Sequence, residues 1–501
     1  MGRQISTRSE GCARDALALF ALCGVACVLF SYGGIRSPDG EVGFRTARSL
    51  ALSGEFAVDE ELGWKGFGLA TGLDGQRYSI FGPLLPLVTV PWVWAGESIA
   101  DSWVSTETTV PVSFYIGQAN HRFDRAITDA RPHAVRFVAT QFNGLATAAG
   151  VVLFYWIALR LSGSREGAWL AALTYGLGSI ALPYSSLFMS EPLAVFLVLS
   201  SFAALLRAGR VEFLSAGLLL GLATLAHLTA VLFAPFFALL VAFDTSEDAG
   251  LRTRARNVAL LLAGLALPLL WLAGFNFDRF GSIFETGRTL PESSGFGYGV
   301  FVSPFGNLWG LLFGLGKGLI PFSPAILIAS IGLRSMFREH RRLVWILAAA
   351  AVVRVVFIAA RSDWHGGFGI GPRYLAMLVP FLLLPLAFLA RDVVASRVPA
   401  RVAALGAAIL ACMVQQFYFS MNDIYTYSHM LRVTGGRQGL NVFENNFIYL
   451  AWEVSPLYRL HEAGLGSFAL SQTELGVWPL LAALAGVAGA GLGWQLYRFT
   501  R

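Results

Sequence analysis

The sequence predicts an all-α polytopic membrane protein, on three observations. Apolar segments recur from Ala16 almost to the C-terminal end, several of them close to the roughly 20 residues that cross a bilayer as a helix. Hydrophobic residues make up 55% of the 501 and charged residues only 14%, against about 25% charged in soluble domains. The arginines gather in short stretches between the apolar segments, as basic residues do in loops on the inner side of a membrane. The net charge of +6 therefore points to membrane topology and not to nucleic acid.

The N-terminal tail carries Arg3, Arg8 and Arg14 and is placed inside. The first apolar segment, 16–32, lacks a small-residue cleavage site and reads as an uncleaved first helix, not as a removed signal peptide. Further spans are expected at 137–161, 168–184, 192–206, 213–226, 228–243, 258–275, 318–333, 343–360, 374–390, 402–419 and 475–496, about twelve in all. Both termini then lie inside. The run 83–95 is short and broken by Pro83, Pro86 and Pro91. It is expected as a juxtamembrane helix at the outer face, with Trp92 and Trp94 seated at the interface. The pair 213–226 and 228–243 reads as a shallow hairpin with His227 at its tip. The resulting domains are a membrane module over 1–419 with a large first outer loop at 33–136, a second large outer loop at 420–474, and a last span with its tail at 475–501. Aromatic residues of the second loop (Tyr425, Tyr427 and Trp452) read as interfacial anchors.

Cys12, Cys23, Cys27 and Cys412 lie in or beside apolar segments, so no disulfide framework is expected in the outer loops. No internal repeat of the kind that marks many secondary transporters is visible. The polar residues concentrate instead on the outer side. Asp39 and Glu41 lie just beyond the first span in Ser37-Pro38-Asp39-Gly40-Glu41. Carboxylates there are placed to take a proton from an acceptor hydroxyl or amine; the plainer reading is two solvated acids in a Pro-Asp-Gly turn. Asp59, Glu60 and Glu61 read as a solvated acidic face. Asp74 precedes the proline-rich run. Glu191 opens a helix ahead of Pro192, where the helix dipole alone would favour it. Arg136, Lys317 and Arg373 each sit at an outer membrane boundary. Three cations at one face make a phosphate site, with Tyr374 beside Arg373 and glycines on both sides; taken singly, each is equally a snorkelling side chain. Gly314–Gly318 lacks the P-loop pattern. Arg354 is the clearest charge inside a span, and such residues are functional candidates by default.

These residues together resemble the GT-C class of integral-membrane glycosyltransferases, and most closely the protein O-mannosyltransferases and lipid A aminoarabinose transferases. The resemblance rests on Glu41-Val42-Gly43-Phe44 after the first helix, Gly82-Pro83-Leu84-Leu85 in the first loop, Arg136 at the next span and Glu191 at the end of the short outer segment 185–191. It covers about the first 210 residues and is looser beyond, at Asn276–Gly281 and Gly371–Tyr374. The family acids are adjacent, whereas here Gly40 separates Asp39 from Glu41. Aligned on Glu41, the family's catalytic Asp falls on Gly40, which leaves Asp39 first and Glu41 second as the base. The resemblance implies an inverting transfer of a sugar from a polyprenyl-phosphate donor to an acceptor at the outer face. It also implies that Lys317, Arg373 and Arg136 hold the leaving phosphate, with Asp74, Glu191 and Tyr374 among the substrate-binding residues. It names no cofactor and leaves a divalent metal open. The alternatives are a flippase or transporter of lipid-linked sugars and a GT-C-like protein without catalysis. The scarcity of charges inside the spans favours the enzyme.

Overall fold

The computed structural model describes residues 2–32, 34–35, 37–58, 67–107, 109–113, 125–129, 131–244, 250–291, 300–367, 369–437 and 447–464. The described residues are mostly helical, with two small antiparallel hairpins among them, Leu69–Thr71 with Arg77–Ser79 and Thr109–Ser113 with Arg125–Asp129. Five of the described helices are long and apolar enough to cross a membrane: Arg131–Ser162, Leu251–Phe280, Arg341–Ala359, Arg373–Ala395 and Pro399–Met421. Ser190–Leu205 and Leu228–Phe243 are shorter apolar helices. The expected span at 475–496 and the acids Asp59, Glu60 and Glu61 lie outside the described residues.

The first helix, α1 (Gly2–Leu29), is followed directly by α2 (Pro38–Leu52). The segment expected as a loop carrying Asp39 and Glu41 is therefore helical. Ser37 is its N-cap and accepts from the Gly40 amide at 2.9 Å, Pro38 stands in the first turn, and both acids lie in that turn. Each of these features satisfies or complements the free amides of a helix start. The proline-rich run, expected as a helix over 83–95, is helical and runs on to Trp103. It forms one continuous helix, α3 (Leu84–Trp103), because Pro83 caps it, Pro86 falls in the first turn where no amide bond is lost, and only Pro91 lies inside. Trp94 is exposed but donates from Nε1 to the Ala51 carbonyl at 2.8 Å, so α3 is tied to the end of α2.

The long helix α4 (Arg131–Ser162) packs against α1, α3, α5 (Arg165–Leu177) and, beyond the short α6 (Ala181–Ser185), α7 (Ser190–Leu205). At the end of this bundle away from α2, Asp15 is fully buried and held by Arg165 through two bonds of 2.5 and 2.6 Å and by the Tyr155 hydroxyl at 2.7 Å. The expected span at 168–184 is thus split between α5 and α6, and that at 318–333 between Leu319–Phe322 and Ala325–Ile331.

The helix α8 (Arg210–Ala226) runs alongside α10 (Leu251–Phe280), with the 3-10 turn Leu228–Phe233 and α9 (Ala234–Asp244) between them in sequence. Glycines set the approach: a Cβ at Gly264 would strike the Leu214 carbonyl, and one at Gly217 the Leu261 carbonyl. Small residues allow such backbone contact between membrane helices. Through it α10 carries its C-terminal turn, with Arg279, to the end of the bundle where α2 begins.

Gly264→Leu should lower the thermal midpoint of the purified protein in detergent, since forcing volume into a close-packed contact costs on the order of 1–3 kcal/mol. Gly274→Ala on the same helix, where a Cβ meets nothing within 4 Å, is the control and should leave the midpoint unchanged. Equal midpoints for both variants would show that the glycine contact does not hold α10.

Candidate active site

A cleft of about 910 Å³ opens where α2, α7, the end of α8 and the end of α10 converge. Its lining includes Asp39 from the first turn of α2, Glu191 from the first turn of α7, and Arg373 with Tyr374. Asp39 and Arg373 form an ion pair, Oδ2 to Nη1, of 2.8 Å. Nε of Arg373 lies 3.8 Å from Glu191 Oε1, too long for a hydrogen bond, and that nitrogen is buried without a hydrogen-bond partner. One guanidinium thus stands between two carboxylates. Glu191 is itself 4% exposed, a burial that carboxylates tolerate only when paired.

The loop before α7 is fixed from below. Asn143 on α4 donates to the Met189 carbonyl at 2.8 Å and to the Leu187 carbonyl, which sets the start of α7 and hence Glu191. Arg373 is held from the other side. Its Nη2 lies 3.5 Å from the Tyr374 hydroxyl, which donates to Asp363 Oδ2 at 3.1 Å. Asp363 accepts a two-point bond from Arg361 at 2.7 and 2.6 Å. Burial pushes the Asp363 carboxyl up, but Arg361 and the Tyr374 hydroxyl more than reverse this and hold it below the usual range.

Glu41 points elsewhere. Residues two apart on a helix are separated by about 200° around its axis, so Asp39 and Glu41 leave α2 on nearly opposite faces. Glu41 is 3% exposed and accepts from Arg136 at 3.0 and 2.5 Å and from Arg45 at 2.9 Å. Burial raises its carboxyl, and the two guanidiniums overcome that and hold it below the ordinary value. Arg136 is consequently locked to Glu41 and is not part of the cleft lining.

Two more expected residues fall outside the cleft. Asp74 is exposed in the tip of the first hairpin, where it accepts from the Tyr78 hydroxyl at 2.6 Å and from the Gln76 amide at 3.0 Å. Lys317 is buried; its ammonium donates to the Gly369 carbonyl and lies 5.6 Å from the centre of the Tyr449 ring. It supports the glycine-rich loop ahead of Arg373 from behind. Arg354, the expected intramembrane charge, spends its donors on backbone and hydroxyl oxygens: the Tyr374 carbonyl at 3.0 and 2.8 Å, the Thr229 carbonyl at 2.8 Å and the Thr229 hydroxyl at 2.9 Å.

The cations that do line the cleft with Arg373 are Arg279 and Arg288. Arg279 donates to the Ser79 carbonyl at 3.0 Å and to Asn276 Oδ1 at 2.9 Å, and Arg288 to the Ile80 carbonyl at 3.2 Å. Both brace the first hairpin against the end of α10. Neither arginine was a sequence candidate: Arg279 lies in the Asn276–Gly281 run, which carried only a loose resemblance, and nothing in a lone Gly-Arg pair signalled Arg288. Among the described residues, no three His, Cys, Asp or Glu side chains gather as a metal ion would need.

No protein-family model matches the sequence, and no curated protein matches it. Among solved structures, the chain is similar to ArnT from Cupriavidus metallidurans bound to undecaprenyl phosphate, at 15% identity over 89% of this chain and 77% of that one, with a TM-score of 0.50. The apo state of the same ArnT gives 16% identity over 88% and 75% of the two chains and a TM-score of 0.47. The apo oligosaccharyltransferase of Archaeoglobus fulgidus gives 12% identity over 88% and 60%, with a TM-score of 0.45. At this identity the likeness to ArnT is one of fold: the chain has the GT-C fold.

Glu41→Gln should lower the thermal midpoint in detergent, because removing one partner of a buried ion pair costs on the order of 3 kcal/mol. The pH dependence has a definite sign. The Glu41 carboxyl is held low in the folded protein, so its stabilisation is complete above its unfolded pKa of about 4.3. It is lost as the pH falls through the lower folded value. Thermal melts from about pH 6 down to about pH 3 should therefore show a shallower acid-side decline for Glu41→Gln than for the wild type. Parallel curves would mean that Glu41 contributes no pH-linked stability.

Proposed function

We propose that this chain is an inverting glycosyltransferase that moves a sugar from a polyprenyl-phosphate donor to an acceptor at the outer face of the membrane. The observation that carries the reading is the cleft itself. It joins an acid at a helix start, a guanidinium holding that acid and two further arginines, against apolar walls from α8 and α10. The GT-C fold supports it, as does the fact that the ArnT structure of that fold is one bound to undecaprenyl phosphate.

Asp39 is the general base. Arg373 engages its Oδ2, which leaves Oδ1 to meet an acceptor hydroxyl or amine. The acceptor atom attacks the anomeric carbon as its proton passes to Asp39. The bond from that carbon to the phosphate oxygen breaks, and its electron pair leaves on the phosphate. One displacement inverts the anomeric carbon and needs no protein nucleophile. Arg288 and Arg279 receive the phosphate, whose growing negative charge is where fixed cations lower the barrier. Among the described residues, the guanidiniums of Arg373, Arg279 and Arg288 bring to the lining the positive charge that a phosphate requires. In this assignment the phosphate role passes from Lys317 and Arg136 to Arg288 and Arg279. Glu191 and Tyr374 hold Arg373 in place, and Glu41 fixes α2 through Arg136.

The test is transfer from a panel of radiolabelled polyprenyl-phosphate sugars in membranes, at matched expression. Asp39→Asn should lose transfer by roughly 10²–10⁴-fold, and Arg288→Ala should lose it with a raised KM for the donor. Glu41→Gln should retain transfer per folded molecule. Loss in Glu41→Gln with retention in Asp39→Asn would reverse the choice of base. Absence of transfer from every donor to every acceptor fraction would overturn the enzyme in favour of a flippase or a fold without catalysis.

A further inference from the structure

His227 lies in the cleft wall beside Tyr374, its ring centre 5.9 Å from the Tyr374 ring and the two planes 69° apart. It is an extended residue between α8 and the 3-10 turn Leu228–Phe233. Both of its backbone groups are spent on those elements. The amide donates to the Ala223 carbonyl and the carbonyl accepts from the Ala230 amide, each at 2.8 Å. The segment before α3 presses on the same place, where a Cβ at Gly82 would strike the carbonyls of Leu225 and Ala226. The imidazole therefore hangs from a fixed backbone.

The bonds around Thr229 decide where that imidazole carries its proton. Thr229 Oγ1 lies 2.9 Å from His227 Nδ1 and accepts from Arg354 Nη2 at 2.9 Å. Thr229 is buried, so its hydroxyl hydrogen needs an acceptor, and among the described residues that acceptor is Nδ1. A proton on Nδ1 would leave the hydroxyl hydrogen unplaced, and an imidazolium would stand one hydroxyl away from the Arg354 guanidinium. Nδ1 therefore accepts, and the neutral ring carries its hydrogen on Nε2. Nε2 is on the ring edge away from Thr229, and nothing among the described residues is hydrogen-bonded to it. His227 lines the cleft and Thr229 does not, so the Nε2 edge is the one turned to the cleft. Other neutral side chains of the lining already donate to protein: Thr224 to the Leu220 carbonyl, Asn276 to the Ile283 carbonyl and Tyr374 to Asp363.

We propose that His227 is a substrate-binding residue whose Nε2–H donates to a hydroxyl oxygen of the donor's sugar, and that Thr229 is a positioning residue holding the imidazole in the tautomer that does so. The inference rests on the glycosyltransferase reading of the cleft. A neutral N–H suits an uncharged oxygen, while the phosphate has Arg279 and Arg288. A site that has placed a donor for a sugar hydroxyl also discriminates against a sugar lacking it, because the donor is then left unpaired.

The test has two readouts on the full-length protein in lipid. The first is the tautomer, read by solid-state NMR of nitrogen-15 in the seven histidines, with His227→Gln identifying the resonances of His227 by their loss. The wild type should show a neutral Nε2–H ring at neutral pH. Thr229→Val should change that signature and Thr229→Ser should keep it. An Nδ1–H ring or an imidazolium in the wild type would overturn the proposal whatever the activity. The second readout is transfer from the panel of polyprenyl-phosphate sugars. His227→Phe should raise the KM for the sugar donor roughly tenfold, the worth of one neutral hydrogen bond, and leave inhibition by sugar-free polyprenyl phosphate unchanged. His227→Gln, which keeps an N–H, should restore most of the loss, and Thr229→Val should behave as His227→Phe does. An unchanged KM in His227→Phe beside an active wild type would overturn this inference and leave the glycosyltransferase standing. Weaker inhibition by sugar-free polyprenyl phosphate in His227→Phe would place the bond on the phosphate and overturn the sugar assignment. A wild type that transfers from no donor would overturn the glycosyltransferase reading and this inference with it.

Discussion

Arg373 is a cation placed between two carboxylates that belong to different helices, and much of the polar structure at that end of the bundle keeps it there. Asp39 and Glu191 approach it from α2 and α7, while Tyr374, Asp363 and Arg361 form a chain of bonds behind it. The loop that leads to it is gripped at two successive carbonyls, Gly369 by Lys317 and Ile370 by the Tyr184 hydroxyl at 2.8 Å. Gly366, Gly367 and Gly371 have positive φ, a conformation that side chains resist, and a Cβ at Gly366 would lie 2.8 Å from the Arg373 side chain. The glycines of this loop are needed for the loop to fold down onto the arginine. Removing one partner of a buried ion pair leaves an uncompensated charge, so Arg373 ties the position of Asp39 to that of Glu191.

Hydrogen bonding to the backbone explains Arg354. Two helices that begin beside the cleft do so as tight 3-10 turns, Leu228–Phe233 and Arg373–Leu378. Such turns leave carbonyls without helical partners, and at membrane depth no water replaces them. Arg354 donates to the carbonyls of Thr229 and Tyr374, one in each turn. It joins the two irregular starts from within the helix Arg341–Ala359. Its charge is a means of satisfying the backbone that shapes the cleft wall, which is why it need not touch a ligand.

The membrane class and most apolar segments were legible in the sequence because they depend on composition and length alone. The first turn of α2 was legible too, in Ser37 and Pro38 with the acids after them, but Pro-Asp-Gly is also a turn signal and the two readings compete locally. What the sequence could not carry was direction. Arg136, Lys317 and Arg373 all lie near helix starts, yet one locks onto Glu41, one braces a loop and one enters the cleft. That choice is made by packing between residues 52 to 334 positions apart. Arg288 stayed invisible for the same reason: its role comes from the hairpin carbonyl of Ile80, 208 residues away.

At Gly40 the chain departs from the adjacent acids of the families it resembles, and the packing of α2 leaves no space for an acid there. A Cβ at position 40 would lie 2.7 Å from the Phe188 carbonyl oxygen and 2.7 Å from Ser37 Oγ, so α2 meets the backbone before α7 with no space for a side chain. An acid at that position would force the helix away from Phe188 and Met189, and with them from Glu191. Moving the acid one residue earlier, to Asp39, turns it by about 100° around the helix, to a position where it meets Arg373 while the close contact at Gly40 is kept. Position 39 is the one on α2 whose carboxylate reaches the cleft.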